Sequence, residues 1–154
     1  MRYSVTGVSR QLTAAERALV RRVIADLRDA TEITTGCAEG VDTVAHIAAM
    51  HSQTHVYKRL CVPAAPHNTA LVTMQRQWHD HVIVERCLAG STNADSYMIR
   101  NGRLVNHADV LIAFPATDKE ELRSGTWATI RRARRAGIDV EVHPLAYKGG
   151  RKAA

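Results

Sequence analysis

The sequence has no long apolar run and only a few cysteines. No stretch approaches the roughly 20 apolar residues that a membrane-spanning helix requires, so we expect no membrane association. The first ten residues, MRYSVTGVSR, carry charges where a secretory signal has an uninterrupted apolar segment. Three cysteines, Cys37, Cys61 and Cys87, lack C-x-x-C spacing and are odd in number. They favour reduced thiols and a cytoplasmic location.

Two common phosphate-binding motifs are also missing. Neither G-x-G-x-x-G nor G-x-x-x-x-G-K-[ST] occurs in the chain, which argues against an ordinary dinucleotide enzyme and a P-loop NTPase. His79 and His81 flank Asp80 without a third ligand nearby, so we predict no metal site. Aromatic residues are few, with two Trp, four Tyr and one Phe. This composition offers little for a platform that stacks the bases of single strands.

The composition is that of a globular domain with a basic surface. Of 154 residues, 45% are hydrophobic and 23% are charged, both near the globular average. The net charge of +6 attracts polyanions without specifying one. The length suits a single domain over residues 1–148, and the segment GGRKAA at 149–154 is predicted to be a flexible tail.

Short apolar runs alternate with amphipathic stretches along the chain, which is the pattern of β-α-β units. We predict a Rossmann-like α/β domain with a doubly wound, mostly parallel sheet of about six strands. The predicted strands are Tyr3–Thr6, Glu32–Thr35, Arg59–Val62, His81–Val84, Val110–Phe114 and Asp139–His143.

The helices are predicted from caps and apolar periodicity. Thr13 and Glu16 have the spacing of a capping box, and the apolar residues that follow, as far as Leu27, lie on one face of a helix. Gly137 suits the end of the last helix. The other predicted helices are Val41–Met50, a short one around Leu71–Trp78, Ala94–Ala108 with Gly102 inside it, and one that begins near Ser124.

Three glycine-bearing turns each join a predicted strand to a predicted helix. They are TGVSR at 6–10, TGCAEGVD at 35–42 and RSGT at 123–126. Ligands of open parallel sheets bind beyond the carboxyl ends of the strands, where such turns present backbone N–H groups and helix dipoles. We expect Gly36 and Gly40 to let the backbone approach an anion closely, and the first N–H groups of the Val41 helix to be free. Arg10 and Arg100 would add charge-assisted contacts.

Three segments resemble the DNA-processing protein A (DprA/Smf) family, in the order in which that family has them. They are TGCAEGVDTVAHIAA at 35–49, RNGRLVNHADVLIAF at 100–114 and SGTWATIRRARRAG at 124–137, with GVSR at 7–10 as an approximate fourth. The resemblance places the chain in the Smf/DprA-LOG superfamily, whose Rossmann-like domains bind nucleotides, nucleotide-derived signals or single-stranded DNA. It also implies a homodimer.

The turns and the resemblance together indicate one ligand-binding pocket. Asp42 stands in the first turn of its helix, where it either caps the helix or accepts a sugar hydroxyl, and His46 is predicted to be a packed residue. The candidate ligand-binding residues are Gly7, Ser9, Arg10, Gly36, Cys37, Ala38, Gly40, Val41, Asp42, Arg100, Asn101, Ser124, Gly125 and Thr126.

Our main hypothesis is the binding of a nucleotide or nucleotide-derived, phosphate-bearing ligand, with no other cofactor. A first alternative is DprA-like binding of single-stranded nucleic acid, aided by Arg131, Arg132, Arg134 and Arg135. A second is hydrolysis of a nucleotide N-glycosidic bond, as in LOG-type enzymes. Those enzymes carry Pro-Gly-Gly-x-Gly-Thr-x-x-Glu, whereas this chain has Thr129 at the glutamate position. The nearby Glu120 and Glu121 precede the turn and would need an unusual loop path, so catalysis is not predicted.

Overall fold

The computed structural model describes residues 1–63, 72, 81–87 and 93–145, with only the backbone of 93 and 94. They form one six-stranded sheet in which every strand pair is parallel. The strands are β1 (Arg2–Gly7), β2 (Glu32–Gly36), β3 (Tyr57–Val62), β4 (Val82–Arg86), β5 (Val110–Phe114) and β6 (Asp139–Val142). The helices are α1 (Ala14–Ala25), α2 (Val41–Ser52), α3 (Asn93–Asn106) and α4 (Gly125–Arg135).

The sheet is doubly wound, as predicted. Its order is β4-β3-β2-β1-β5-β6, so the chain builds outwards from β1 to β4 and then returns to the other side of β1 with β5. Helices α1 and α2 share one apolar cluster on one face, whereas α4 and part of α3 pack on the other. A sheet of this kind opens a crevice beyond the carboxyl ends of the two strands where the order reverses, here β1 and β5.

Local signals place the helices close to where the sequence predicted them. The capping box of α1 is present: the Thr13 hydroxyl accepts from the N–H of Glu16, and the Glu16 carboxylate accepts from the N–H of Thr13. After α4, Gly137 has φ +74° and the N–H of Ile138 donates to the carbonyl of Ala133, a Schellman closure. Leu27 lies beyond the end of α1 but is still buried.

Strand β4 differs most from its predicted bounds. Residues Glu85 and Arg86 extend it past Val84, because they pair with Cys61 and Val62 of β3 although both are charged. Apolar patterning alone ends the strand too early, since ladder pairing needs only the backbone.

The cysteines and the helices can be compared with their predictions over the described residues. All three cysteines are buried and none forms a disulfide, consistent with reduced thiols. No helix among the residues described is long and apolar enough to cross a membrane. The short helix around Leu71–Trp78, apart from Val72, lies outside the described residues, as do His79, Asp80 and the tail at 149–154.

Candidate nucleotide or nucleic-acid site

A cavity of about 530 Å³ opens at the β1–β5 switch point. The register pairs Gly7 with Phe114, and the N–H of Val8 donates to the carbonyl of Phe114 at 3.2 Å, so the chain leaves β1 beside the end of β5. The cavity lies where three turns and α3 meet. It is lined by Thr6, Gly7, Val8, Ser9, Arg10, Ala38, Asp42, Tyr97, Arg100, Asn101, Ala116, Glu121, Ser124, Gly125 and Thr126.

The structure thus brings together residues from all three glycine turns, which the sequence placed far apart. The candidate residues that line this cavity are Gly7, Ser9, Arg10, Ala38, Asp42, Arg100, Asn101, Ser124, Gly125 and Thr126. The candidates that do not line it are Gly36, Cys37, Gly40 and Val41, all of the second turn. The packing of that turn explains why Gly36, Gly40 and Val41 are not part of the lining.

Gly36 makes room for protein atoms, not for an anion, which corrects the sequence-based expectation. A Cβ at Gly36 would overlap the guanidinium of Arg100 and the carboxylate of Asp42. The space that the missing side chain leaves is therefore already filled by an ion pair.

Gly40 also fails to offer close approach to an anion. It has φ +80°, and a Cβ there would overlap the carbonyl oxygens of Val8 and Arg10. The N–H of Val41, expected to be free, donates to the carbonyl of Val8 at 3.1 Å. The turn at 6–10 thus caps the start of α2 from outside the helix. The same hydrogen bond joins it to the turn at 35–42.

Gly40→Ala is expected to lower the free energy of unfolding by about 3 kcal/mol, because alanine adds a steric overlap to an unfavourable positive φ. The matched control is Gly137→Ala, since Gly137 has φ +74° but no atom of a described, non-adjacent residue within 4 Å of the position that a Cβ would take. It should lose only about 1 kcal/mol. Urea unfolding measures both, and equal losses would show that the contact between the two turns contributes nothing.

Asp42 and Arg100 form a buried ion pair at the back of the cavity. Arg100 Nη1 donates to Asp42 Oδ2 at 3.0 Å. The side chain of Arg100 is only 8% exposed and that of Asp42 only 5%. Burial raises the pKa of Asp42, while the guanidinium charge opposes that rise. The same carboxylate accepts from the N–H of Ala38 at 3.3 Å. Asp42 therefore orients the second turn, and its principal charged partner is Arg100.

Arg100 is held from three sides. Its Nε donates to Asn101 Oδ1 at 2.8 Å, and its guanidinium carbon lies 5.5 Å from the centre of the Tyr97 ring. Tyr97 and Arg100 both line the cavity. Sequence analysis missed Tyr97, although its i, i+3 spacing from Arg100 on a helix places the two side chains together.

The N-terminus of α4 is the most open part of the cavity wall. The Ser124 hydroxyl caps the helix by accepting from the N–H of Trp127 at 3.3 Å. Among the described residues, and apart from the helix's own nearby backbone, no atom lies within 4 Å of a Cβ position at Gly125. In the part of the chain that the structure describes, the N–H groups of Gly125 and Thr126 have no acceptor. Free donors at the positive end of a helix dipole form an anion-binding arrangement.

Arg10 is a second arginine that lines the cavity. Its guanidinium contacts both carboxylate oxygens of Glu16, at 2.9 and 3.0 Å. This contact lowers the pKa of Glu16 to about 2, so the carboxylate stays charged at neutral pH. The capping box of α1 thereby fixes the position of Arg10.

The carboxylates considered for hydrolysis are distributed differently from the expectation. Glu121 lines the cavity without an unusual loop path, which corrects the sequence analysis. Glu120 instead pairs with Arg131 at 2.9 Å. Thr129 is buried, and its hydroxyl donates to the carbonyl of Gly125 at 3.0 Å. The position of the LOG-type glutamate is therefore occupied by a hydroxyl bonded within its own helix.

A cluster of metal-ligating groups lies outside the cavity and was not predicted. The ligand atoms of Cys61, Glu85 and His107 lie within 4.8 Å of one another. Burial raises the pKa of the Cys61 thiol, and Glu85 already contacts Arg59 at 3.0 Å and His107 at 2.8 Å. Its three members come from separate elements, so no sequence spacing signals the cluster. A neutral thiol and a compensated carboxylate make it a poor cation site.

Comparison with known proteins decides the family. The family model described as DNA recombination-mediator protein A matches residues 2–153. The chain belongs to this family. The resemblance of its three segments to DprA/Smf is thus confirmed, and so is the predicted Rossmann-like fold.

Two solved structures of DNA processing protein A are similar to the chain. The X-ray structure from Streptococcus pneumoniae has a TM-score of 0.71 at 23% identity, and covers 92% of this chain and 49% of that protein. The structure from Helicobacter pylori, described for its unique single-stranded DNA binding mode, has a TM-score of 0.68 at 18% identity, with coverages of 92% and 64%. The chain therefore spans only about half to two thirds of these relatives. No curated protein sequence matches it.

Proposed function

We propose that this domain binds single-stranded DNA and seats one backbone phosphate at the N-terminus of α4. The observation that carries the proposal is the open position at Gly125, beside N–H groups that have no acceptor among the described residues and within a cavity that Arg10 also lines. Sequence analysis ranked this function second, behind a free nucleotide. The family and the DNA-binding relative from H. pylori now favour the polymer.

The chemistry of the cavity suits one nucleotide unit. A volume of about 530 Å³ is within the range of small-molecule sites, roughly 300–1,000 Å³. The N–H groups of Gly125 and Thr126, which have no acceptor among the described residues, would receive the phosphate, and Ser9 and Ser124 also line the cavity. Tyr97 and its neighbour Arg100 present flat groups against which a base can stack.

The charge of the protein suits a polyanion. The net charge is +6, and α4 has four arginines and no acidic residue. A DNA strand that extends out of the cavity would therefore meet the arginines of α4 outside it, in addition to the N–H donors within it.

The experiment is fluorescence anisotropy of a labelled oligothymidylate of about 20 nucleotides, over a series of salt concentrations. We expect binding that weakens steeply with salt, with a slope of roughly −0.7 for each phosphate contacted. Competition with unlabelled thymidine monophosphate is measured in parallel. Absence of oligonucleotide binding at low salt would refute the proposal.

A free nucleotide ligand is the second candidate function, favoured by the concave shape and single-nucleotide size of the cavity. It predicts that a mononucleotide binds as tightly as the oligonucleotide, with a weak dependence on salt. Self-association, which the family resemblance implies, stays a prediction.

A further inference from the structure

We infer that DNA held in the cavity continues into the groove between α3 and α4, where Arg103 and Arg132 contact a second backbone phosphate. The inference rests on the proposed function, since it concerns the route of the same strand. It assigns a role to a surface outside the cavity.

The groove is a formed feature of the protein surface. It has a volume of about 370 Å³ and is lined by Met98, Ile99, Gly102, Arg103, Asn106 and Arg132. The guanidinium of Arg132 lies directly over Gly102: a Cβ on that glycine would be 2.8 Å from Nη2. A glycine inside a helix costs about 1 kcal/mol relative to alanine. Here its missing side chain lets Arg132 reach across to α3.

The arginines of this face divide into two kinds. Arg100 and Arg131 are neutralised by Asp42 and Glu120 at 3.0 and 2.9 Å. Arg132 is exposed and has no carboxylate partner among the residues described. Arg103 meets Glu85 only at 3.6 Å, and its side chain is 53% exposed. Two cations thus line one groove, Arg132 with no described carboxylate partner and Arg103 with a long, partly exposed ion pair, an arrangement that an anion stabilises.

The groove adjoins the proposed phosphate site. Seven residues separate Gly125 from Arg132, almost two helical turns, so both lie on one side of α4 about 10 Å apart. On α3, Asn101 lines the cavity and the next residue, Gly102, lines the groove. A single short oligonucleotide can therefore reach both places. Met98, which also lines the groove, is 65% exposed. Its apolar side chain suits contact with a base better than contact with a free inorganic anion.

The test compares a thymidine dinucleotide, the short strand, whose single phosphate cannot occupy both places, with an oligothymidylate of about 20 nucleotides, the long strand, on the wild-type chain and on Arg132→Gln and Arg103→Gln. We expect each substitution to weaken binding of the long strand about 5-fold and to reduce its salt slope by about 0.7, the value of one phosphate contact on a single strand. Binding of the short strand should change less than 2-fold. The matched control is Arg21→Gln, which removes the same charge from an exposed position of α1, on the other face of the sheet.

Gly102→Ala is a second variant that keeps every charge. Alanine favours the helix, but its Cβ displaces the guanidinium of Arg132. The long strand should lose affinity as in Arg132→Gln, while the melting temperature is kept. If Arg132→Gln binds both strands with the affinities and salt slope of the wild type, this inference is wrong. The proposed function would still stand, because the domain would still bind DNA. Failure of the wild type to bind either strand would overturn the proposed function as well.

Discussion

Gly125→Val is expected to lower the affinity for single-stranded DNA by a factor of about 100 or more. The two N–H groups at this helix start have no protein acceptor among the described residues. Each hydrogen bond that they make to a charged phosphate is worth about 1.5–3 kcal/mol. A branched side chain placed over them holds the phosphate out of reach, so both bonds are lost together.

The fold should tolerate this change. Outside the helix's own nearby backbone, no atom of the described residues lies within 4 Å of the new Cβ position, and valine has a better helix propensity than glycine. Ala128→Val is the matched control, because Ala128 is exposed on the same helix and does not line the cavity. Anisotropy titrations with a 20-nucleotide strand, together with thermal melts, compare the two. Near wild-type affinity in Gly125→Val would show that the phosphate binds elsewhere.

The sequence predicts this fold well because its signals are local. The Thr13–Glu16 capping box and the Gly137 terminator each act within a few residues, and the structure has both. The alternation of apolar strands with amphipathic helices likewise requires a parallel sheet with crossovers. A crevice near β1 and β5 follows from that topology alone.

The roles of the glycines could not be predicted in the same way. Gly36 ends strand β2 and Gly125 begins helix α4, both in glycine-bearing segments of similar sequence, yet of these two only Gly125 faces open space among the described residues. The atoms that fill the space at Gly36 belong to Arg100, far along the chain. Whether a glycine admits a ligand or a neighbouring side chain depends on tertiary packing, which no local pattern encodes. Glu121 is a similar case, because it lines the cavity although it precedes the glycine turn in sequence.

Arg100→Met is expected to lower the free energy of unfolding by about 3–5 kcal/mol at pH 7. Its partner Asp42 is 4% exposed, and removal of one member of a buried ion pair leaves the other charge uncompensated. The double variant Asp42→Asn, Arg100→Met should recover part of this loss, because the amide carries no charge. Urea denaturation of the wild type, both single variants and the double variant gives the coupling energy between the two residues.

The same variant should show a distinctive dependence on pH. Burial raises the pKa of Asp42, and without the opposing guanidinium that pKa rises further in the folded state. A carboxyl group whose folded pKa lies above its unfolded pKa destabilises the protein at neutral pH, and the penalty disappears as falling pH protonates it. The stability gap between wild type and Arg100→Met should therefore narrow from pH 7 towards pH 4. A constant gap would mean that Arg100 stabilises the protein through packing on Tyr97 and Asn101, and that its charge beside Asp42 is immaterial.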